Sequence, residues 1–158
     1  MNPEYRIEIG VPADVPHILA LMEQYWNLEG IAGFDSTRMS RLLERVLSQP
    51  HLGTVWVARA GAELAGYLLA VFVFSLEFQG LIAEIDEFFV LPRARRHGIG
   101  TALLETAEAR LAEAGCASIQ LQLHAANAAA RAFYRRRRYT ARAAYELMGK
   151  ALPGRADY

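Results

Sequence analysis

Residues 90–102 read Val-Leu-Pro-Arg-Ala-Arg-Arg-His-Gly-Ile-Gly-Thr-Ala, and no other stretch constrains the fold as tightly. An apolar strand ends at Pro92, a basic turn with two glycines follows, and an uninterrupted helical pattern comes next. Such a turn builds an anion site. The backbone N–H groups at the start of a helix have no partner inside it, and the helix dipole places partial positive charge there. Gly98 and Gly100 carry no Cβ, so the backbone can approach a bulky anion. Arg93, Arg95 and Arg96 add fixed positive charge. The expected ligand group is a pyrophosphate.

The rest of the chain alternates strand and helix patterns around this turn. Candidate strands cover residues 5–10, 54–60, 64–76, 81–90, 117–124 and 139–148. A first helix starts at residues 12–14 with Asp14 as its N-cap, carries the stripe Val15, Ile18, Leu19, Leu21, Met22 and Trp26, and breaks at residues 30–33. Ser36 is the expected cap of a second helix, which Pro50 ends. Helices are also expected over residues 98–114 and 127–137. The order β-α-α-β-β-β-α-β-α-β describes an α/β fold with a mixed central sheet. With 158 residues, no repeat and no low-complexity linker, one domain is expected over residues 1–150, and residues 151–158 are expected to form a flexible tail.

Composition removes several function classes. A chain that is 53% apolar and 22% charged is globular rather than disordered. Its formal net charge is zero, which argues against binding nucleic acid or a membrane through bulk charge. No apolar run reaches 18 residues, and the N-terminal residues show no signal-peptide pattern, so a cytoplasmic protein is expected. Cys116 is the single cysteine and reads as a small, partly buried residue at a helix-to-strand turn.

The spacing Arg95-x-x-Gly98-x-Gly100 resembles the acyl-CoA-binding signature of the GNAT superfamily of N-acetyltransferases, in which Gln or Arg precedes two residues, Gly, one residue, and Gly or Ala. Downstream, Asn127-Ala128-Ala129-Ala130-Arg131-Ala132-Phe133-Tyr134 is similar to the family's Asn-x-x-Ala-x-x-Phe-Tyr segment. The resemblance runs from about Tyr5 to Lys150, and the order of elements matches the GNAT fold. It implies acetyl-CoA as co-substrate and no metal. The cofactor would meet the turn at Arg95, Arg96, His97, Gly98, Ile99, Gly100 and Thr101, the strand backbone at Phe88, Phe89 and Val90, and the downstream helix at Asn127 and Tyr134. Pantetheine resembles a peptide and can add to a strand edge through its amides.

Catalysis needs a way to deprotonate an amine, because a free alkyl amine with a pKa of about 10.4 is mostly protonated at neutral pH. Glu84, Asp86 and Glu87 are acids inside an apolar strand, which is costly unless they are paired or face a cavity. Strict alternation puts Glu84 and Asp86 on one face and Glu87 on the other. The resemblance marks Glu84 or Asp86 as the base; Glu87 reads as structural. Tyr134 stands at the family's general-acid position, where a phenol protonates the CoA thiolate. Gln120, Gln122 and His124 share a face of the strand over residues 117–124, and His124 reads as a satisfied side chain. The run Arg135 to Arg138 reads as a solvated helix end, with one arginine available to the CoA 3′-phosphate. Arg138 departs from the family, which usually has Gly there: either the arginine adopts a left-handed turn, which costs about 1–2 kcal/mol, or the turn differs from the family's.

The function so implied is transfer of an acetyl group from acetyl-CoA to a small amine or a peptide amine, directly within a ternary complex, since no covalent nucleophile is evident. The alternative is a catalytically silent CoA-binding sensor of the same fold. The segments over residues 26–34 and 75–80 are expected to shape the acceptor pocket, and their aromatic residues suit an amine with an apolar body. The fold allows a homodimer.

Overall fold

A computed structural model describes residues 5–153; residues 154–158, most of the expected tail, lie outside the described residues. The chain divides after Leu121 into two compact units.

The first unit is built on a five-stranded sheet in the order β1-β2-β3-β4-β5, formed by Arg6–Ile9, Gly53–Ala60, Glu63–Ser75, Gly80–Val90 and Ile119–Leu121. The first three pairings are antiparallel and β4–β5 is parallel, so the sheet is mixed. A two-residue turn with Gly61 at φ 58° joins β2 to β3. The parallel pair needs a crossover, which α3 (Ile99–Glu113) supplies. Seven consecutive residues of β3, 64–70, are buried, so both faces of the strand are covered. Helices α1 (Val15–Glu29) and α2 (Ser36–Ser48) pack on each other and share the sheet with α3.

The expected stripes face the core. Val15, Ile18, Leu21 and Met22 of α1 are buried, as are Leu103, Leu104, Ala107 and Leu111 of α3. Capping differs from expectation at two helices. Asp35, not Ser36, caps α2, and its carboxylate accepts the Arg38 N–H at 2.9 Å. Asp14 makes no side-chain cap bond to α1; its carboxylate accepts the Val11 N–H at 3.0 Å and an Arg59 N–H at 2.7 Å. Arg59 also bonds Glu8 at 2.8 Å, so one arginine ties β1, β2 and the entry of α1 together. Burial pushes the Asp14 carboxyl up, but the Arg59 and Val11 bonds and the Arg59 charge outweigh it and hold the group below the usual carboxylate value.

The second unit contains α4, Ala128–Arg136. The Asn127 side chain caps it by accepting the Ala130 N–H at 3.0 Å. The helix ends on a left-handed residue, Arg138 at φ 67°, with Arg138 N–H bonded to Arg135 O and Tyr139 N–H to Tyr134 O. This is the Schellman arrangement, with its aromatic contact supplied by Tyr134 and Tyr139 rings 5.3 Å apart. The strand expected over residues 139–148 does not form. That segment makes a turn closed by Tyr145 N–H on Arg142 O and pairs with no strand among the described residues, and a strand has no stability without a partner ladder. The element order is therefore β-α-α-β-β-β-α-β-α. The strand expected over residues 117–124 shrinks to Ile119–Leu121, which leaves His124 in a turn, where its Nδ1 accepts the Ala126 N–H at 3.2 Å.

Candidate active site

After β4 the chain makes a short turn at Pro92–Ala94, extends at Arg95, and takes left-handed conformations at Arg96 (φ 65°) and Gly98 (φ 81°) before α3 begins. Gly98 is the N-cap of α3, and its carbonyl accepts the Ala102 N–H at 2.9 Å. The N–H groups of Ile99 and Gly100 come too early in the helix to have an acceptor within it. A Cβ placed on Gly98 would meet no protein atom within 4 Å. The glycine therefore serves its backbone angle and the open space in front of the helix end, not a packing contact.

Beside this turn β4 runs beyond the end of its pairing with β5. Pairing of β4 with β5 stops at Ile85 and Leu121, whereas β4 continues to Val90. Leu91 N–H bonds Ala65 O, and Phe89 O faces Gly66, where a Cβ would come within 2.6 Å of it. Alternation turns the amides of Phe88 and Val90 the other way, to the side that β5 has left. Arg95 Nε donates to the Val90 carbonyl on this edge at 2.9 Å, with its guanidinium 5.7 Å from the centre of the Phe89 ring. The structure thus brings together Phe88, Phe89, Val90 and the residues 95–101 as one continuous edge and helix end.

The acids are arranged differently from the alternation rule. Leu69 pairs with Glu87 and the next residue, Ala70, pairs with Ile85, so Asp86 is an extra residue in β4, a β-bulge. Across the bulge Glu84 pairs with Val71 and Glu87 with Leu69, two positions apart on β3. Glu84 and Glu87 therefore share a face, the face of Tyr67, instead of facing apart. Glu87 is buried, with 7% exposure, while Asp86 stays accessible. Burial, then the charge of Glu84, pushes the Asp86 carboxyl above its ordinary value. Burial also raises Glu87; the bonds from Trp26 and Tyr67 oppose the rise and the Asp86 charge adds to it. Tyr25 is raised by burial and by the charges of Glu29, Glu87 and Asp86, and its ring lies 6.0 Å from that of Phe89. Three carboxylates and an aromatic cluster thus gather on the α1 side of β4 at the bulge.

Sequence reasoning missed the partners of Glu87. Its two oxygens accept Trp26 Nε1–H at 2.7 Å and Tyr67 Oη–H at 2.8 Å. An acid in an apolar strand signals that some partner exists, but Trp26 lies 61 residues away and Tyr67 20.

Tyr134 and Asn127 belong to the second unit. Tyr134 is buried, with its ring 5.3 Å from those of Phe133 and Tyr139. At the same helix end Arg137 stacks on Phe133 at 3.8 Å.

A family model described as "Acetyltransferase (GNAT) family" matches residues 18–139. No curated protein matches the chain. Solved structures do. An integron cassette protein from the mobile metagenome of Cole Harbour Salt Marsh is 27% identical, with a TM-score of 0.82 over 94% of this chain and 91% of that one. A possible acetyltransferase from Clostridium difficile 630 is 15% identical, with a TM-score of 0.84 over 95% and 99%. An aminoglycoside acetyltransferase from an uncultured soil metagenomic sample, solved in complex with sisomicin, is 21% identical, with a TM-score of 0.75 over 96% and 97%.

Proposed function

Because the chain belongs to the acetyltransferase (GNAT) family, its model matching residues 18–139, we propose that it transfers an acetyl group from acetyl-CoA to an amine, directly within a ternary complex. One observation carries the reading: a strand edge vacated by β5 runs into a helix end whose glycine cap leaves open space. An edge can pair with the pantetheine amides, and a helix N-terminus among arginines suits a pyrophosphate. Arg95, Arg96, His97, Gly98, Ile99, Gly100 and Thr101 would hold the pyrophosphate, Phe88 to Val90 the pantetheine, and Asn127 and Tyr134 the remaining cofactor contacts. In this reading residues 1–150 work as one domain, in the cytoplasm.

The acceptor is an amine with an apolar body. The carboxylates of Glu84 and Asp86 attract its ammonium form, and Tyr25, Trp26 and Phe34 offer apolar surface. Asp86 is the favoured base, with Glu84 beside it. It is accessible, and the direction of its shift brings it toward the operating pH, where general bases work best. Tyr134 returns a proton to the CoA thiolate.

The test is thiol release from acetyl-CoA with a panel of amines, among them 2-phenylethylamine, an aminoglycoside and peptides with free N-termini. Tyr134→Phe should lower kcat about 10²–10⁴-fold with little change in acetyl-CoA affinity, and Asp86→Asn should lower the rate most near neutral pH. Normal rates at every pH in both variants would refute these roles. Acetyl-CoA binding with no amine acetylated would favour the silent sensor.

A further inference from the structure

Glu87 has no role in the transfer described above, yet it is the most unusual acid in the first unit. It is buried, with 7% exposure, and among the described residues no arginine, lysine or histidine forms an ion pair with it. Among the described residues its only hydrogen-bond partners are neutral donors, the Trp26 indole and the Tyr67 hydroxyl. Tyr67 is itself buried at 1% exposure, and its own pKa is pushed far up by burial and by Glu87, so it remains a donor. A buried carboxylate without a cation is unfavourable for stability, and an apolar side chain of similar volume would pack there more cheaply.

We propose that Glu87 is a positioning residue for the acceptor pocket: it holds the Trp26 indole, and through it the α1–α2 connection, against the bulge at Asp86. The proposal rests on the transferase reading only in naming the pocket. The geometry is specific. Glu87 directly follows the bulged residue. Trp26 sits in the last turn of α1, and its ring meets Phe34 edge-on at 5.5 Å. Phe34 lies in the connection between α1 and α2, which contains two left-handed glycines, Gly30 and Gly33. Such a connection has no ladder of its own to fix it. The Trp26–Glu87 bond ties its start to the sheet, and the Trp26–Phe34 contact ties its end to Trp26. The wall opposite the acids therefore depends on one carboxylate accepting one indole N–H.

The experiment follows the two indole N–H signals by ¹⁵N NMR, with Trp26 assigned by its loss in Trp26→Phe. Glu87→Gln keeps an oxygen for Trp26 and can donate its amide N–H to the Tyr67 hydroxyl oxygen, so Trp26 Nε1–H should stay protected from exchange. Glu87→Leu removes the acceptor, and exchange should accelerate about ten- to hundred-fold. The melting shift given by acetyl-CoA should be the same in parent and both variants. With 2-phenylethylamine as acceptor probe, Glu87→Leu should raise KM about ten-fold at nearly unchanged kcat, the signature of lost binding rather than lost chemistry, and Glu87→Gln should restore the parent KM. Unchanged indole exchange in a folded Glu87→Leu protein would overturn the proposal. So would loss of the acetyl-CoA shift in that variant alone, which would make Glu87 a general structural residue. A parent protein that binds no acetyl-CoA would overturn the transferase reading and leave the indole result standing.

Discussion

Arg138→Gly should stabilise the end of α4. Arg138 sits at φ 67° in the C′ position of a Schellman cap, with its N–H on Arg135 O at 3.0 Å and the next N–H, of Tyr139, on Tyr134 O at 3.1 Å. A residue with a Cβ costs about 1–2 kcal/mol in that conformation. Glycine removes the strain but gives back about 0.5–1 kcal/mol through its freer unfolded chain. The net gain is about 0.5–1 kcal/mol, or a two- to five-fold slower opening of the cap, since 1.4 kcal/mol is about ten-fold. Amide exchange at Tyr139 N–H reads this directly, because that N–H closes the cap on Tyr134 O. Arg138→Ala is the control: it removes the same charge and keeps the Cβ, so exchange should stay near the parent rate. Equal slowing in the alanine and glycine variants would show that charge repulsion among the arginines, not backbone strain, governs this helix end. No slowing in the glycine variant would refute the strain argument.

Gly98→Ala should stay folded, destabilised by about 1–2 kcal/mol for its φ of 81°, because its Cβ meets no protein atom; it should lose the melting shift with acetyl-CoA. Retention of the full shift would remove the pyrophosphate cradle from this turn. Arg59→Leu strands the buried Asp14 carboxylate and should lower stability by about 3–5 kcal/mol in denaturant melts at neutral pH. The Asp14 carboxyl is lowered in the folded state, so its contribution is complete above the ordinary value of 3.8 and fades as pH falls through the lower folded-state value; the gap between parent and Arg59→Leu should therefore narrow in acid. Glu87 has the opposite sign. Its folded pKa is raised, so the penalty is absent below the ordinary value of 4.5 and grows as pH rises through the folded value; Glu87→Gln should gain stability relative to the parent between pH 4 and neutrality. Gly66→Ala would drive a Cβ to within 2.6 Å of the Phe89 carbonyl, and its far-ultraviolet melt should show clear destabilisation from a displaced β4 end.

The parts of the fold legible in the sequence are those set by local rules. Glycine turns, the apolar stripes of α1 and α3, and the strand-to-helix transition at residues 90–102 depend on neighbours within a few positions. The turn at Arg138 was raised not by a local rule but by the family resemblance, in which Gly is usual there; of the two outcomes it left open, the structure has Arg138 left-handed at φ 67°. What was not legible depends on pairing. A bulge at Asp86 arises only when β4 meets β3, and it moves Glu87 onto the face of Glu84. The Trp26–Glu87–Tyr67 group joins three elements that no local pattern links. The apolar pattern over residues 139–148 read as a strand, yet alternation specifies a strand only when another strand supplies its ladder. Asp14 read as a helix cap because its position fits; Arg59, 45 residues away, took the carboxylate instead.

The central claim is that the edge of β4 and the end of α3 form a site for acetyl-CoA, and the melting temperature with and without acetyl-CoA tests it most directly. A ligand that binds only the folded state adds about 2.7 kcal/mol at a hundred-fold excess over Kd. For a chain of this length each kcal/mol raises the midpoint by about 2–4 °C, so a rise of about 5–10 °C is predicted. ATP and NAD carry pyrophosphate but no pantetheine to lie along the Phe88–Val90 edge, and should shift the midpoint little. No shift with acetyl-CoA at millimolar concentration, or an equal shift with ATP, would contradict the account.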